Sequence, residues 1–449
     1  MPLAKVGTFT KTVAAAPATQ IVAGVGFQPK ALIMWMTGQS AQGFAADLDW
    51  AIGFSDGVNS YSVFGLSIDN IPGTNVIFRG HHLKALSRLG MRCSVVSFDP
   101  DGFTLNWTPN DAVASRIHYL VLGGADLSAK VGTFLDEFFV PPFLGDKSVV
   151  GVGFQPDALL FITALYGSAF GPPLEDGGTR CNPNLGMATA TQQAALSGSL
   201  LASNLGAKRT QRTDKCIEAL DSLVTGAEAT LVSMDADGFT HNFTSGGDFR
   251  IGYLALKGGQ YAIGSDTQPA APGEKKTTVG FQPIAVMLAS FNRVASAAIE
   301  DHARLALGAA AGSDEAAMWV GHTALSNPTS ADRGLTVAKA LQLVDSDAPA
   351  LVDAEADMKS FDSDGFTLDW PTADAVARQF LYLAIGVVPP RTLAPHPVPI
   401  PVVLPAPALR GIPVVVPPPL PPPSPPLGPR TLTPSPVAIP IVIPSPEVS

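Results

Sequence analysis

Residues 97–107 read SFDPDGFTLNW, and close copies of this phrase return as SMDADGFTHNF at 233–243 and SFDSDGFTLDW at 360–370. Each copy carries two Asp residues, a Gly, and then apolar residues at alternate positions. The alternation is typical of a half-buried strand, and the apolar run before the phrase, CSVVSF in the first copy, reads as a second strand. The phrase therefore predicts a β-hairpin in which the Gly supplies a positive φ at the turn.

The paired Asp residues of the hairpin phrase permit two interpretations. Carboxylates at alternate positions followed by Gly occur in calcium loops, which also need further oxygen ligands and a bidentate Glu. Here the phrase continues directly into an apolar strand, which favours a turn-capping function over a calcium site, and we expect no metal. The residues concerned are Asp99, Asp101, Asp235, Asp237, Asp362 and Asp364.

Two further landmarks recur with the hairpin phrase. VGFQP opens three apolar segments, and its phenylalanines, Phe27, Phe154 and Phe281, are spaced by 127 residues in both intervals. A Tyr in an apolar run follows each hairpin phrase, and a weaker series of glycines lies between the landmarks. These residues are Tyr119, Tyr253, Tyr382, Gly53, Gly186 and Gly308. A long period of this kind indicates an internal threefold duplication.

The predicted fold is all-β: three tandem antiparallel β-sandwich or jelly-roll-like repeats plus an extended polyproline-rich C-terminal arm. Repeat 1 spans 1–126, repeat 2 spans 127–260, repeat 3 spans 261–388, and the arm spans 389–449. One segment per copy, RTDKCIEALDSL in repeat 2 and ADRGLTVAKALQLVDS in repeat 3, fits a short helix or a long excursion equally well.

The arm contains 23 prolines among 61 residues and few charges. Polyproline II is the natural conformation of such a segment. PRTLAPHPVPIPVVLP at 390–405 returns as PRTLTPSPVAIPIVIP at 429–444, which favours docking onto a partner over an inert spacer. The predicted docking residues are Arg391, Leu393, Val398, Ile400, Arg430, Leu432, Val437 and Ile439.

The composition and the motifs narrow the function. A formal net charge of −10 without a basic block argues against nucleic acid as a partner. Three scattered cysteines argue against a disulfide framework, and the most apolar region is interrupted by proline too often for a membrane span. We find no hydrolase, zinc-protease, P-loop or Rossmann motif, and therefore expect neither an enzyme nor a cofactor.

The combined pattern VGFQPxALI…DGFT…YLALGG resembles repeated β-sandwich domains of tailed-bacteriophage virion proteins and, more faintly, H-type lectin domains. The virion resemblance implies a structural protein of the tail, tail tip or capsid decoration, whose partners are other virion proteins and copies of itself. It also implies assembly in the host cytoplasm, and the first residues lack the apolar core of a signal peptide. The alternative is a virion adhesin that binds a host-surface glycan, with Trp35, Trp50 and Trp107 as the side chains to test.

Overall fold

A computed structural model describes the chain over 2–136, 144–165, 175–178, 180–202, 205–221, 224–247, 249–296, 298–345, 351–388 and 417–419. These ranges contain 34 strands. No helix occurs within them, and accordingly none of sufficient length and apolarity to cross a membrane is found there. The all-β prediction is confirmed.

The strands divide among the three repeats. Repeat 1 contains β1 (Leu3–Thr10), β2 (Ala18–Ala23), β3 (Pro29–Met36), β4 (Gly43–Ala46), β5 (Leu48–Ser55), β6 (Ser60–Ser67), β7 (Ile77–His82), β8 (Leu86–Arg88), β9 (Met91–Asp99), β10 (Gly102–Trp107) and β11 (Arg116–Gly123). Repeat 2 contains β12 (Ser128–Asp136), β13 (Gly145–Val150), β14 (Ala158–Leu165), β15 (Glu175–Gly178), β16 (Arg180–Cys181), β17 (Asn184–Thr189), β18 (Gln193–Leu201), β19 (Ala207–Arg212), β20 (Ile217–Asp221), β21 (Val224–Asp235), β22 (Gly238–Ser245) and β23 (Phe249–Lys257). Repeat 3 contains β24 (Gln260–Thr267), β25 (Gly273–Thr278), β26 (Pro283–Arg293), β27 (Glu300–Asp301), β28 (Ala303–Ala311), β29 (Asp314–His322), β30 (Ala331–Thr336), β31 (Leu341–Val344), β32 (Val352–Asp362), β33 (Gly365–Thr372) and β34 (Gln379–Gly386).

Each repeat contributes one large inner sheet and one four-stranded outer sheet, both antiparallel. The inner sheets have the orders β1-β11-β3-β5-β6-β7-β15, β12-β23-β14-β17-β18-β19-β27 and β24-β34-β26-β28-β29-β30-β4, with β16 attached to β18. The outer sheets have the orders β2-β10-β9-β8, β13-β22-β21-β20 and β25-β33-β32-β31. The segments that fitted a helix or an excursion form strands, β19 with β20 in repeat 2 and β30 with β31 in repeat 3.

The inner sheets are buried on both faces. In β3, Ile33 and Trp35 belong to a central hydrophobic cluster, whereas Leu32 and Met34 belong to the core between the inner and outer sheets of repeat 1. Successive side chains of a strand point to opposite faces, so a strand buried on both faces reads as a continuous apolar run. This explains why KALIMWM lacks the alternation of the hairpin strands.

The central cluster joins all three repeats. It contains residues of each inner sheet, such as Ile33, Leu160 and Met287, and each sandwich has in addition a smaller core of its own. Residues 1–390 accordingly form one compact unit. The inner face of any one repeat is thus buried by the other two.

Each repeat also donates a short strand to the inner sheet of a neighbour. The strand β4 of repeat 1 pairs with β30 of repeat 3, β15 of repeat 2 pairs with β7 of repeat 1, and β27 of repeat 3 pairs with β19 of repeat 2. These three donations form a closed cycle, in which every inner sheet ends on a strand from another repeat. Covering a sheet edge in this way removes an unpaired template for aggregation.

Candidate interaction surfaces

Two of the recurring phrases meet in space, at a contact that we call the joint. In repeat 1 the second Asp of the hairpin, Asp101, accepts hydrogen bonds from the backbone N–H groups of Gly24 and Gly26 at 3.1 and 2.6 Å. Gln28 of VGFQP donates in return to the carbonyl oxygen of Phe98 at 2.7 Å. The hairpin turn is therefore held by hydrogen bonds to the loop that enters the inner strand β3.

The joint recurs in the other repeats with one variation. Asp237 accepts from Gly151 and Gly153 at 3.2 and 2.6 Å. Repeat 3 lacks the first of the two glycines. There the backbone carbonyl of Asp364 accepts the loop N–H groups, and its carboxylate instead pairs with Lys276 at 2.5 Å.

The first Asp of each hairpin is held by hydroxyl groups of the same phrase. Asp99 accepts from Ser97 at 2.6 Å and from Thr104 at 2.7 Å, and Asp235 and Asp362 have the same Ser and Thr partners. These hydrogen bonds lower the pKa of all three carboxyl groups. No group of His, Cys, Asp and Glu side chains suited to a metal occurs in the described part of the chain. The geometry is that of a turn, with both carboxylate oxygens engaged by protein donors.

The Gly of the hairpin phrase is required by a close backbone approach. A Cβ atom at Gly102 would lie 1.9 Å from the carbonyl oxygen of Val22, and Gly238 and Gly365 have equivalent approaches of 1.9 and 2.0 Å. The predicted positive φ is present at Gly102 and Gly238, at 154° and 153°. Only the close approach is common to all three copies.

The recurring aromatic residues pack against one another inside each sandwich. Phe103 meets Tyr119 edge to face at a centroid distance of 5.4 Å, and Phe239–Tyr253 and Phe366–Tyr382 repeat the contact at 5.3 and 5.6 Å. Each Tyr lies over a Gly of the adjacent strand, at Gly7, Gly132 or Gly264. The Gly beneath each Tyr was not predicted, although AKVGTF at 4–9 and at 129–134 is a literal repeat.

The tryptophans suggested for glycan binding are buried. Trp35, Trp50 and Trp107 are at most 1% exposed, and Trp319 and Trp370, the other two in the chain, are at most 3% exposed. A sugar can stack only on a ring face that solvent reaches. The suggestion that Trp35, Trp50 and Trp107 are the side chains of a glycan site is therefore wrong. Trp35 and Trp50 lie on inner strands that are buried on both faces, and the ring of Trp107, on the outer strand β10, lies in the core between the two sheets.

Several histidines and all the cysteines are likewise buried. Burial lowers the pKa of His82, His118 and His322 to about 3 and that of His241 to about 4, so these rings are neutral. The three cysteines are free thiols, and burial raises the pKa of each to about 12. These side chains behave as core residues rather than as reactive groups.

The contacts between repeats, which we call seams, contain acidic residues that bridge two arginines. At the seam of repeats 1 and 3, the carboxylate of Asp49 lies 2.7 Å from Arg88 of its own repeat and 3.2 Å from Arg333 of repeat 3. Asp49 is 1% exposed. Its burial raises its pKa, and the two guanidinium groups oppose that rise.

The seam of repeats 2 and 3 has a corresponding arrangement. Glu300 lies on the donated strand β27 and pairs with Arg293 of its own repeat at 2.8 Å and with Arg209 of repeat 2 at 3.5 Å. Arg209 and Arg333 occupy the third position of the strands that receive a donated strand. An acid shared by arginines of two repeats fixes the alignment of the repeats, because either arginine would otherwise be buried without a counter-charge.

A surface cleft of about 600 Å³ opens where repeat 1 meets repeat 3. Lys5, Tyr119, Asp314, Glu315 and Asp357 are among its lining residues. Lys5 donates to Asp314 at 2.8 Å, and burial raises the pKa of Glu315. Charged side chains of two repeats line the cleft, so it is a candidate site for a hydrophilic ligand.

The outer sheets of repeats 1 and 2 expose aliphatic side chains on their hairpin strands and first strands. Ile21 on β2 and Val96 on β9 are 70% and 58% exposed, and Val150 on β13 and Val232 on β21 are 75% and 51% exposed. Val96 and Val232 lie where the hairpin register shifts, as residues of a β-bulge.

Repeat 3 carries lysines at two of the corresponding positions. Lys359 lies at the register shift of β32, and Lys276 lies opposite Thr367 as Ile21 lies opposite Thr104. Lys276 pairs with Asp364 and Lys359 with Glu274. The outer face of this repeat is therefore charged.

The predicted docking residues of the arm lie outside the described residues. This applies to Arg391, Leu393, Val398, Ile400, Arg430, Leu432, Val437 and Ile439. Their assignment stays a prediction from the sequence.

Comparison with known proteins gives no relative. No family model, no curated protein and no solved structure matches the chain.

Proposed function

We propose that the chain is a structural component of a bacteriophage particle, in the tail, the tail tip or the capsid decoration. In this proposal it assembles inside the host cytoplasm through its sandwich repeats and its docking arm. Its partners are other virion proteins and further copies of itself. The single observation that carries the proposal is the closed cycle of three strand donations around one shared core.

The closed cycle favours assembly because it gives one chain three near-equivalent faces. Each repeat contains a joint between its hairpin and its VGFQP loop, and the three joints belong to one compact unit. Protein assemblies are built from symmetric contacts in which one patch is used repeatedly. A body that repeats its surface three times suits a partner that is itself threefold or present in several copies.

The buried seams support the same role. Residues such as Asp49 and Glu300 tie neighbouring repeats together through paired charges. A shared core leaves each repeat without an independent fold, so relative motion of the repeats would expose apolar surface. Rigidity of this kind is what a scaffold in a particle requires.

The test is deletion of residues 389–449, with the body retained. We expect the shortened chain to remain folded, as followed by the fluorescence of its buried tryptophans, and to be absent from purified particles by mass spectrometry. A chain whose arm has the same composition in scrambled order is the matched control, and it should also be absent. Incorporation of the deleted chain at the wild-type level would contradict the docking role of the arm.

A second candidate function is a virion adhesin that binds a host-surface glycan, and the charged side chains of the cleft between repeats 1 and 3 favour it. Carboxylate and ammonium groups beside a Tyr are the kind of convergent polar groups that fix a small polar ligand in a cleft. A glycan array probed with the full chain tests this function, with Glu315→Gln as the variant and Glu228→Gln, in repeat 2 and outside the cleft lining, as the control. Binding that both variants retain would place any glycan elsewhere.

A further inference from the structure

Lys11 buries its amino group where the strand β1 ends. Its side chain is 0% exposed, and Nζ lies 5.6 Å from the centroid of the Trp107 ring. Lysine is among the residues least often buried completely, and a buried lysine is paired, because burial removes the hydration of its charge. What the amino group can do therefore depends on the groups that surround it.

The amino group of Lys11 faces two side chains of the loop that follows β10. Nζ donates to Oδ1 of Asn110 at 2.5 Å, and it lies 3.0 Å from Oδ1 of Asp111. A C=O bond is about 1.23 Å long, so Cγ of Asn110 is at most about 3.7 Å from Nζ. Reacting atoms about 3–3.5 Å apart are positioned for attack. A nucleophilic nitrogen and a carboxamide carbon therefore lie close to a reactive arrangement.

The carboxamide of Asn110 is fixed by its nitrogen. Nδ2 donates to the backbone carbonyl oxygens of Thr12 and Ala14 at 2.9 and 2.8 Å. Both hydrogens of this nitrogen are thus engaged, and the carbonyl side of the amide faces Lys11. Folding has already removed the freedom of the two groups, which lowers the barrier to a reaction between them.

The carboxylate of Asp111 is placed to move a proton. Its Oδ1 contacts Nζ of Lys11 and accepts the N–H of Val113 at 3.0 Å. Its Oδ2 pairs with Arg88 at 3.2 Å. A fixed carboxylate within hydrogen-bond distance of an amine can take its proton as a general base and deliver it to a leaving group as a general acid.

Repeat 3 contains the corresponding loop without the Lys and the Asn. Gln268 occupies the position of Lys11, because the N–H of each donates to the carbonyl of the residue before the last strand of its repeat. Ala373 stands where repeat 1 has Asn110, and the Asp that follows is present in both repeats. The Lys and the Asn are therefore present together in repeat 1 and absent together from repeat 3.

The Gln of repeat 3 shows that this loop can be held without a charge. Gln268 donates to the carbonyl oxygens of Asp374 and Val376, both at 3.0 Å, and accepts the N–H of Asp374 at 3.2 Å. The carboxylate of Asp374 has the same kinds of partner as that of Asp111, the N–H of a Val and an arginine. Holding the loop does not require a buried lysine, so the Lys beside Asn110 points to a reaction.

We propose that Lys11 and Asn110 form an isopeptide bond within the chain, with Asp111 as the catalytic base. Asp111 takes a proton from the ammonium of Lys11, and the neutral amine attacks Cγ of Asn110. The Nζ–Cγ bond forms and the Cγ–Nδ2 bond breaks. Of the three hydrogens on Nζ, one stays in the new amide and two pass through Asp111 to Nδ2, which leaves as ammonium. No group is oxidised or reduced, and the chain contains every group that the reaction uses.

The bond changes what holds repeat 1 together. It joins the end of β1, an edge strand of the inner sheet, to the loop after β10, a strand of the outer sheet. The product amide is uncharged, so the reaction also removes a buried ammonium. A cross-link between distant residues limits the freedom of the unfolded chain. The inference goes beyond the proposed function and does not rest on it.

The test is mass spectrometry of the denatured full chain. The wild type should weigh less than its sequence by one molecule of ammonia, in most of the purified protein. Digestion with trypsin should yield a branched peptide that joins Lys11 to Asn110, and cleavage after Lys11 should be lost. The branched peptide distinguishes the cross-link from a cyclic imide at an Asn, which loses the same mass.

Repeat 3 supplies the matched variants. Lys11→Gln with Asn110→Ala copies repeat 3 and should fold, as followed by tryptophan fluorescence, with its full sequence mass. Gln268→Lys with Ala373→Asn builds the pair beside Asp374 and should cause the loss of a second ammonia. If this second variant folds and keeps its full complement of ammonia, the claim that Lys, Asn and Asp in this loop are sufficient for the reaction is overturned.

The outcomes decide between a covalent bond and a purely structural contact. Wild-type protein with its full sequence mass, or loss of ammonia without the branched peptide, overturns the isopeptide bond. In the variant Asp111→Asn the branched peptide should be absent from the folded protein, and its undiminished presence overturns Asp111 as the base. Incorporation into particles is a separate readout, and its failure refutes the proposed function alone.

Discussion

The joints and the seams hold the same body together by different means. All three joints use the same Gln position, and Gln28, Gln155 and Gln282 each donate to the carbonyl of the residue before the first Asp of the hairpin. The seams differ from one another. Where Asp56 accepts the N–H of Val131 between repeats 1 and 2, Gln192 accepts that of Ile263 between repeats 2 and 3.

The difference shows which contacts were constrained by duplication. A joint lies within one repeat, so its geometry is fixed by the short-range packing of one hairpin on one strand entry. A seam faces a different neighbour in each case, and each acid–arginine group can have its own residues. Buried polar groups that vary in this way specify which surfaces fit together.

The largest effect is expected at a seam. Asp49→Ala removes the carboxylate that Arg88 and Arg333 share. Arg88 keeps Asp111 at 3.2 Å, but Arg333 loses its ion pair in a largely buried site, and the free energy of unfolding should fall by about 3 kcal/mol. Denaturant unfolding followed by tryptophan fluorescence measures the change. Asp314→Ala, at the same pair of repeats, removes an exposed ion pair to Lys5 and should cost at most about 1 kcal/mol. Equal costs for the two variants would show that Asp49 does not hold the seam.

Glu218, at a position where repeats 2 and 3 differ, should make the stability of the protein depend on pH. Burial raises the pKa of Glu218 to about 8, and the carboxylate of Glu228 adds to the rise. The folded state thus holds a proton that the unfolded chain releases near the ordinary value of 4.5. Stability should therefore be lost as the pH rises through this window, by on the order of 3 kcal/mol.

Repeat 3 provides the reference for this effect. There Gln342 takes the place of Glu218 and donates to Glu355 at 3.0 Å. Glu218→Gln should make the unfolding midpoint less dependent on pH. Gln342→Glu should add a pH dependence similar to that of Glu218. A wild-type midpoint that stays constant from acid to mildly alkaline pH would refute the buried, protonated Glu218.

A smaller and equal effect is expected at the three hairpin glycines. Gly102→Ala, Gly238→Ala and Gly365→Ala each place a Cβ atom about 2 Å from a carbonyl oxygen of the adjacent strand, and should each cost about 1–3 kcal/mol. Thermal unfolding of the three single variants tests the equivalence. A cost confined to one copy would mean that the joints are not interchangeable.

The smallest effect is expected at the glutamines of the joints. Gln28→Ala removes one side-chain hydrogen bond to a backbone carbonyl, and should lower the free energy of unfolding by about 1 kcal/mol. The same value is expected for Gln155→Ala and Gln282→Ala by chemical denaturation. A Gln28→Glu variant is the control, because it keeps the size of the side chain but cannot donate, and it should cost at least as much.

The sequence predicted the parts of the fold that depend on nearby residues. The alternation after Gly102 predicted β10 with Phe103 and Leu105 on one face, and both are buried. The repeated DGFT and VGFQP phrases predicted hairpins and strand entries, which the structure contains. It missed that the two phrases bind each other, because hydrogen bonds such as that of Asp101 to Gly26 join residues 75 positions apart.

The candidate surfaces were predicted less well, for a physical reason. Exposure depends on which sheet a strand joins, and no local pattern separates the buried Trp35 from an accessible aromatic residue. The seams could not be predicted either, because Asp49 and Arg333 are far apart in the chain, and the acids that join the arginines lie at different positions of their repeats, on β5 and on β27.

By itself, the sequence determined that one β-rich unit of about 127 residues occurs three times, since period-two patterns and turn residues act over a few positions. Only the tertiary structure decided that the three units share a central core and exchange strands in a closed cycle. Pairing between distant strands is set by the burial of whole faces and the alignment of buried charges, and these are properties of the assembled sheets rather than of any one segment.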